Sequence, residues 1–535
     1  MTFMQSAKHR AKAHFTQRAG RVAVAGAAVL AIGATGFLLS PGDSASRQRA
    51  LLTSVPTELA APTSPAELGQ WCIDRKAQGT AGLTTRARNW LNDCIAVFGS
   101  TPNPTGSSSP SPSASPSSSA SPTPTPSSST GTPTPTPSST TTPPGSVLTL
   151  PRIPWEGGSA YWNSFPKARS VGWTDPNFFP ISVFLGRMQD AARYKGLGIN
   201  TYQAMEHNVA IWPVSTVTGQ GMFVMAQQEE WTPAEVGNDP RVVSWFISDE
   251  CEMGYSDCTP DWNHDNGEFG RLAVQQSYVD KVTAYNDGRF KHANFGNGIT
   301  RTWWAPTTMD DHVALMDSVS ADKYSYTSPD VDGLLLGSPE WPAGANPATA
   351  AAYGWQVDQM RSFMAPNALK PAWGFVETAR PLLGDADART ITPNQIEGAV
   401  WSMIIHEARG ISYFMHNNDP ACDEGSACEH AMEAKLTSLN AAVRGLAPVI
   451  NTQSYQYNFN NGTDTMLKTY QGSAYVFADI GLNETAGAKT FALPAGITGT
   501  SVEVVGESRS LTVVGGHFTD TFAAEYSHHI YKIAL

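Results

Sequence analysis

The stretch 242–258 reads VVSWFISDECEMGYSDC. Five β-formers (Val242, Val243, Trp245, Phe246 and Ile247) run into two adjacent carboxylates, Asp249 and Glu250, and Cys251 and Cys258 bracket the turn that follows. A second apolar run, KPAWGFV (370–376), meets Glu377, with Arg380 three residues on. Two carboxyl groups about 5–5.5 Å apart can divide labour over one bond, one attacking while the other protonates the departing oxygen. A charged Asp249 beside Glu250 would push the Glu250 pKa upward, which suits a proton donor. A disulfide between Cys251 and Cys258 would hold the loop after Glu250 to the tolerance that catalysis needs.

Eight short apolar runs could position these groups: FPISVF (179–184), GINTYQAM (198–205), GMFVMAQ (221–227), VVSWFIS (242–248), KHANFG (291–296), SVSADKY (318–324), KPAWGFV (370–376) and GISYFMH (410–416). Helical patterns such as GRMQDAARYKGLG, GRLAVQQSYVDKVTAYND, TAAAYGWQVDQMRSFM and PNQIEGAVWSMIIHEARG lie between them, with little helix signal between the second and third runs. This alternation predicts an α/β fold, a (β/α)8 TIM barrel over 147–450, whose functional groups stand where the strands finish. Those positions carry Glu206 and His207 after strand two, Asn294 on strand five with the pair Trp303-Trp304 beyond it, Tyr324 and Tyr326 after strand six, and His416 after strand eight. Strands four and seven lie across the barrel mouth from each other, so Glu250 and Glu377 can converge. Trp303 and Trp304 could stack on a sugar face. From 451 to 535 the period falls to two between Gly/Asn turns, which predicts a small all-β sandwich with a hairpin turn at Asn461-Gly462.

The rest of the 535 residues is organised differently. Lys8, Arg10, Lys12, Arg18 and Arg21 precede an apolar run over 22–39, so 1–46 reads as an export signal or an uncleaved N-terminal membrane anchor. Residues 47–99 read as a small Cys-stapled helical region, and 100–146 as a disordered Ser/Thr/Pro linker. Six cysteines pair naturally with near neighbours, Cys72 with Cys94, Cys251 with Cys258 and Cys422 with Cys428, as disulfides of an exported protein. A formal charge of −12 argues against nucleic acid as a partner. No zinc spacing, P-loop, dinucleotide fingerprint or G-x-S-x-G elbow occurs, so neither metal nor cofactor is expected.

The SDE and FVET motifs, on strands four and seven of the predicted barrel, resemble the clan of retaining (β/α)8 glycoside hydrolases (clan A type), over roughly residues 150–535. The C-terminal stretch ending HHIYKIAL resembles the accessory sandwich that many of those enzymes carry. The resemblance implies a secreted or cell-surface glycosidase acting on a carbohydrate substrate, with Glu250 as acid/base, Glu377 as nucleophile, and Tyr324 or Tyr326 touching the nucleophile. Glu206, Asn294 and His416 would then line the substrate. One departure stands out. The clan places Asn before the acid/base, contacting the sugar 2-OH, whereas this chain has Asp249, which can accept from that hydroxyl but not donate. Inversion through a base other than Glu377 stays open. So do a non-catalytic carbohydrate-binding or cell-envelope protein, and a polysaccharide lyase using Arg301 or Arg380.

Overall fold

The computed structural model describes residues 148–206, 212–258, 272–300, 309–328, 341–342, 344–381, 388–417 and 419–535, together with Leu59, Trp71, Cys72, Asp74, Arg75 and Cys94. The predicted export segment (1–46), most of 47–99 and the linker (100–146) lie outside the described residues. Residues 147–535 belong to one compact unit.

Each predicted apolar run forms a strand: β1 (Ile181–Arg187), β2 (Thr201–Glu206), β3 (Phe223–Gln227), β4 (Val242–Asp249), β5 (Phe290–Phe295), β6 (Ser318–Ala321), β7 (Ala372–Glu377) and β8 (Ile411–Phe414). All neighbours pair in parallel and β8 closes on β1, with Ile411 opposite Ile181. A short helix, α1 (Pro166–Ser170), precedes the barrel, and every strand is followed by a helix. These are α2 (Ala191–Gly196), α3 (Ser215–Thr218), α4 (Thr232–Val236), α5 (Leu272–Thr283), α6 (Met309–Ala314), α7 (Ala350–Ser362), α8 (Pro393–Ile405) and α9 (Ala427–Ile450). Among the described residues, the crossover with the weakest helical signal holds the single turn of α3. Capping is written locally: Thr392 and Gln395 form a capping box around Pro393 at the start of α8, and Ser426 accepts from Glu429 N–H at the start of α9.

Period-two alternation sends Trp373 and Phe375 of β7 into the barrel and Val376 outward against the helices. At the N-terminal end, Trp162 and Trp173, from the segment before β1, pack on Phe290 at the start of β5 with ring centroids 4.8 and 5.3 Å away. This plug closes the bottom of the barrel. Higher up, Phe184, Phe246, Phe375 and Phe414 fill the interior and form an apolar floor.

The C-terminal part folds into antiparallel sheets from β9 (Thr463–Tyr470), β10 (Ser473–Ile480), β11 (Gly487–Ala492), β12 (Ser501–Val504), β13 (Arg509–Thr512), β14 (His517–Phe522) and β15 (His528–Ala534). A five-stranded sheet in the order β13-β12-β15-β10-β9 accompanies the pair β11-β14. The expected hairpin at Asn461-Gly462 is corrected. The two-residue turn between β9 and β10 is Gln471-Gly472, with φ of 46° and 77°, the left-handed pair such hairpins need. Gly462 instead leads into β9, where a Cβ would come 2.5 Å from Glu484 Oε2. The sheet face carrying Met466, Phe477 and Ile530 joins the core that surrounds the barrel, and Trp401 of α8 stacks on His528 at 5.5 Å. Cys72–Cys94, Cys251–Cys258 and Cys422–Cys428 are bonded as expected. Among the described residues no helix is long and apolar enough to cross a membrane.

Candidate active site

Adjacent residues of a regular strand point to opposite faces, so Asp249 and Glu250 need help to share one space. Two local irregularities supply it. Between Phe246 and Asp249, three steps on β4 match only two on β5, from His292 to Asn294. This bulge turns Ser248 out to accept from Gln275 of α5 (3.0 Å) and re-aims Asp249 inward, onto Asn294. Glu250 then adopts a left-handed backbone, φ 49° and ψ 40°, a conformation that costs a non-glycine residue roughly 1–2 kcal/mol. The following loop holds this geometry. Ser256 Oγ accepts from Asp249 N–H (2.9 Å) and donates to Asp249 O (2.8 Å), Tyr255 N–H donates to Glu250 O (3.2 Å), and the Cys251–Cys258 bond closes the turn.

Asp322, directly after β6, completes the group. Asn294 Nδ2 donates to both Asp249 Oδ1 (2.9 Å) and Asp322 Oδ1 (2.8 Å), Tyr324 OH donates to Asp322 Oδ2 (3.0 Å), and the Glu250 carboxyl hydrogen-bonds Asp322. Asn294 is itself oriented by Ser320, whose hydroxyl donates to Asn294 Oδ1 (2.7 Å) and accepts from Gln203 Nε2 (2.6 Å) across the barrel. His292 is buried and neutral, its pKa lowered by burial to about 3. Its Nε2–H donates to Ser320 Oγ at 3.1 Å, which leaves Nδ1 to accept from Ser318 Oγ at 2.8 Å. The carboxylates thus rest on a polar ladder running through β2, β6 and β5.

Solvent reaches Asp249, Glu250 and Asp322, yet protein atoms surround them so closely that lost hydration dominates their protonation. Burial lifts Asp249 to about 6 against the opposing pull of Asn294. Glu250 is raised well above the ordinary range by burial first, then by the charges of Asp322, Asp249 and Glu252, so the expected push from Asp249 is third in rank. Both effects favour the protonated form of Glu250, whose carboxyl hydrogen-bonds Asp322. Glu252, buried and lifted to about 8 by desolvation, accepts from Gly296 N–H at 2.6 Å. Gly296 also leaves room for Glu250, because a Cβ there would overlap Glu250 Oε1 and Met253 Sδ. Lys323, lowered by burial to about 7, donates to Asn297 Oδ1 at 2.7 Å.

Glu377, at the end of β7, is fully buried. Its oxygens accept from Tyr353 OH (2.8 and 2.9 Å) and Thr327 Oγ1 (2.9 Å). Burial raises its pKa to about 7, against these hydrogen bonds. Tyr324 lies within the electrostatic reach of both Glu250 and Glu377, and its ring sits 5.4 Å from Phe414 on the aromatic floor.

The remaining expected residues divide. Glu206 is exposed at the end of β2, opposite Arg187 of β1 in register. His416 is half-buried, donating from Nε2 to Leu185 O at 3.1 Å and packing on Phe414. Asn294 is not available to a sugar, because it is fully buried with its amide shared between two aspartates and its carbonyl bound to Ser320. Tyr326 also departs from expectation: its hydroxyl turns away from the barrel mouth to Glu525 of the C-terminal domain. Trp303, Trp304, His207 and Arg301 lie outside the described residues. Sequence reasoning missed Asp322, Glu252, Thr327 and Tyr353. Asp322 had a signal: β6 stops at Ala321, so the charged residue after SVSA stands at the strand end rather than within the run to Tyr324. Among the described residues no group of acidic, His or Cys side chains could hold a metal ion.

Neither a protein-family model nor a curated protein matches the chain. Among solved structures it is similar to a family 5 glycoside hydrolase from Bacteroides vulgatus, with TM-score 0.42 and 11% identity over 67% of this chain and 89% of that one. An α-amylase from Geobacillus thermoleovorans gives 0.37 and 11% over 67% and 99%, and a GH30 endoxylanase from Clostridium papyrosolvens 0.34 and 12% over 67% and 96%. At such scores the chemistry has to be read from the site itself.

Proposed function

We propose that this chain is an exported glycoside hydrolase cleaving a glycosidic bond in an extracellular polysaccharide or oligosaccharide, with Glu250 as proton donor and Glu377 as the second carboxyl. The observation that carries the reading is Glu250 itself: solvent-accessible at the barrel mouth, surrounded by other carboxyls and pushed toward its protonated form by burial and their charges. In the retaining mode Glu377 attacks the anomeric carbon while Glu250 passes its proton to the leaving oxygen. Glu250, now ionised, then takes a proton from the water that cleaves the glycosyl ester. Tyr324, in the field of both glutamates, supports their acting on one substrate. Disulfides at three near-neighbour pairs support a life outside the reducing cytoplasm.

A glycan panel tests this with the native protein, Glu250→Gln and Glu377→Gln. Loss of hydrolysis in both variants supports the reading. Unsaturated products would point to a lyase, and equal binding without products to a non-catalytic carbohydrate-binding protein. A second mechanism is favoured by one observation: Glu377 is fully buried, whereas Asp249 and Asp322 reach solvent. Asp322 or Asp249 would then serve as base, with inversion. The anomer of the first product, read by proton NMR, separates the two: retention requires Glu377, while inversion with activity surviving Glu377→Gln assigns the base to an aspartate.

A further inference from the structure

We propose that the C-terminal sheet domain is part of the catalytic apparatus, with Glu525 as a positioning residue for Glu377; this rests on Glu377 being the second catalytic carboxyl. Glu525 lies in the connection from β14 to β15. Its carboxylate accepts from Tyr326 OH (2.8 and 3.0 Å) and from the N–H of Ala350, the first residue of α7 (2.9 Å). These contacts pin the two segments that supply the donors to Glu377. Thr327 follows Tyr326 in the chain, and Tyr353 lies one turn into α7. The segments are also tied to each other, because Tyr326 N–H donates to Tyr353 OH at 3.0 Å and the two rings lie 5.5 Å apart. Tyr353 OH therefore accepts from the pinned loop and donates to Glu377, which fixes the direction of its proton.

A second observation shows that this segment is seated closely on the barrel. Gly398 of α8 faces Tyr526, and a Cβ there would come 2.5 Å from Tyr526 O and 2.7 Å from its Cβ. Residues 525–526 thus rest against bare helix backbone. Among the described residues, the titratable groups facing Glu377 are Tyr324, Tyr326 and Tyr353; Glu525 faces Tyr326, which also feels Tyr526. A carboxylate from the appended domain holds the donors, and the donors hold the carboxyl that does chemistry.

The test is the titration of Glu377, followed by carboxyl 13C NMR in full-length protein labelled at glutamate Cδ and assigned by the signal lost in Glu377→Gln, together with kcat and KM. Glu525→Ala and Tyr326→Phe should each move the titration above its starting point near 7. They should lower kcat about tenfold with KM changed less than about twofold, since the loss is of alignment rather than binding. Glu525→Gln, whose amide oxygen still accepts, should recover most of both. An unmoved Glu377 titration in both Glu525→Ala and Tyr326→Phe would overturn the proposal, whatever happens to melting temperature. If the titration moves but Glu377→Gln remains active, the positioning stands and the catalytic role of Glu377 falls. If Glu377→Gln is inactive and the titration does not move, the reverse holds.

Discussion

Tyr353→Phe removes one hydroxyl from a closed site and has a calculable consequence. The phenol donates to Glu377 at 2.8 and 2.9 Å, and the only other donor side chain bonded to that carboxyl among the described residues is Thr327. A hydrogen bond to a charged acceptor contributes about 1.5–3 kcal/mol. Because it favours the ionised form, its loss raises the pKa of Glu377, by roughly one to two units at about 1.4 kcal/mol per unit. The starting value is about 7, since burial already outweighs the donors. A nucleophile must be ionised, so the acid limb of the kcat/KM profile should move to higher pH by that amount, costing roughly five- to fiftyfold at pH 7 and much less well above pH 9. The variant also strands the Tyr326 N–H that Tyr353 accepts from, which lowers stability by about 1–3 kcal/mol, measurable by denaturant unfolding. A stable Tyr353→Phe protein whose acid limb stays in place, or moves to lower pH, would refute the role given to Glu377.

Three further outcomes follow from the same geometry. Asp322→Asn removes the foremost charge acting on Glu250 after burial, so the basic limb of the pH–rate profile should move to lower pH. Hydrolysis of a glycan should suffer more than that of an aryl glycoside whose leaving group needs no proton; equal loss on both would mean that Asp322 does something other than support the acid. Gly296→Ala drives a methyl group into Glu250 Oε1, and kcat should fall about a hundredfold for a displacement near 1 Å, with roughly 1–3 kcal/mol of overpacking seen in thermal unfolding. Between barrel and sheet, His406 faces Asp358 of α7 (2.7 Å) and Asp464 of β9 (3.3 Å). Burial works against its charge, but the aspartates win and its pKa is raised, while burial and then Asp464 lift Asp479 to about 8. A raised folded-state pKa adds stability below the unfolded value that is lost as pH climbs through the folded one, so the melting temperature should decline as pH rises from about 4 through about 8. Asp479→Asn should flatten that decline; an unchanged slope would count against this interface.

Local patterns in the chain determined a great deal. β-Branched and aromatic runs of four to eight residues, separated by helical periods, point to buried strands of a parallel sheet. Thr392 and Gln395 set the start of α8 through contacts within one turn, and Cys251 and Cys258 are near enough in the chain to find each other. Glu250 at the end of β4 was legible for the same reason. Tertiary structure decided which way these groups face and what they touch. A bulge and a left-handed residue put Asp249 and Glu250 into one space, against the alternation that sequence spacing predicts. Asp322, Thr327, Tyr353 and Glu525 acquire their partners only when the barrel closes and the sheet docks, across separations of up to 199 residues. Strand propensity is a property of neighbours in the chain, whereas a carboxyl's proton depends on how much water and which charges the finished fold leaves around it.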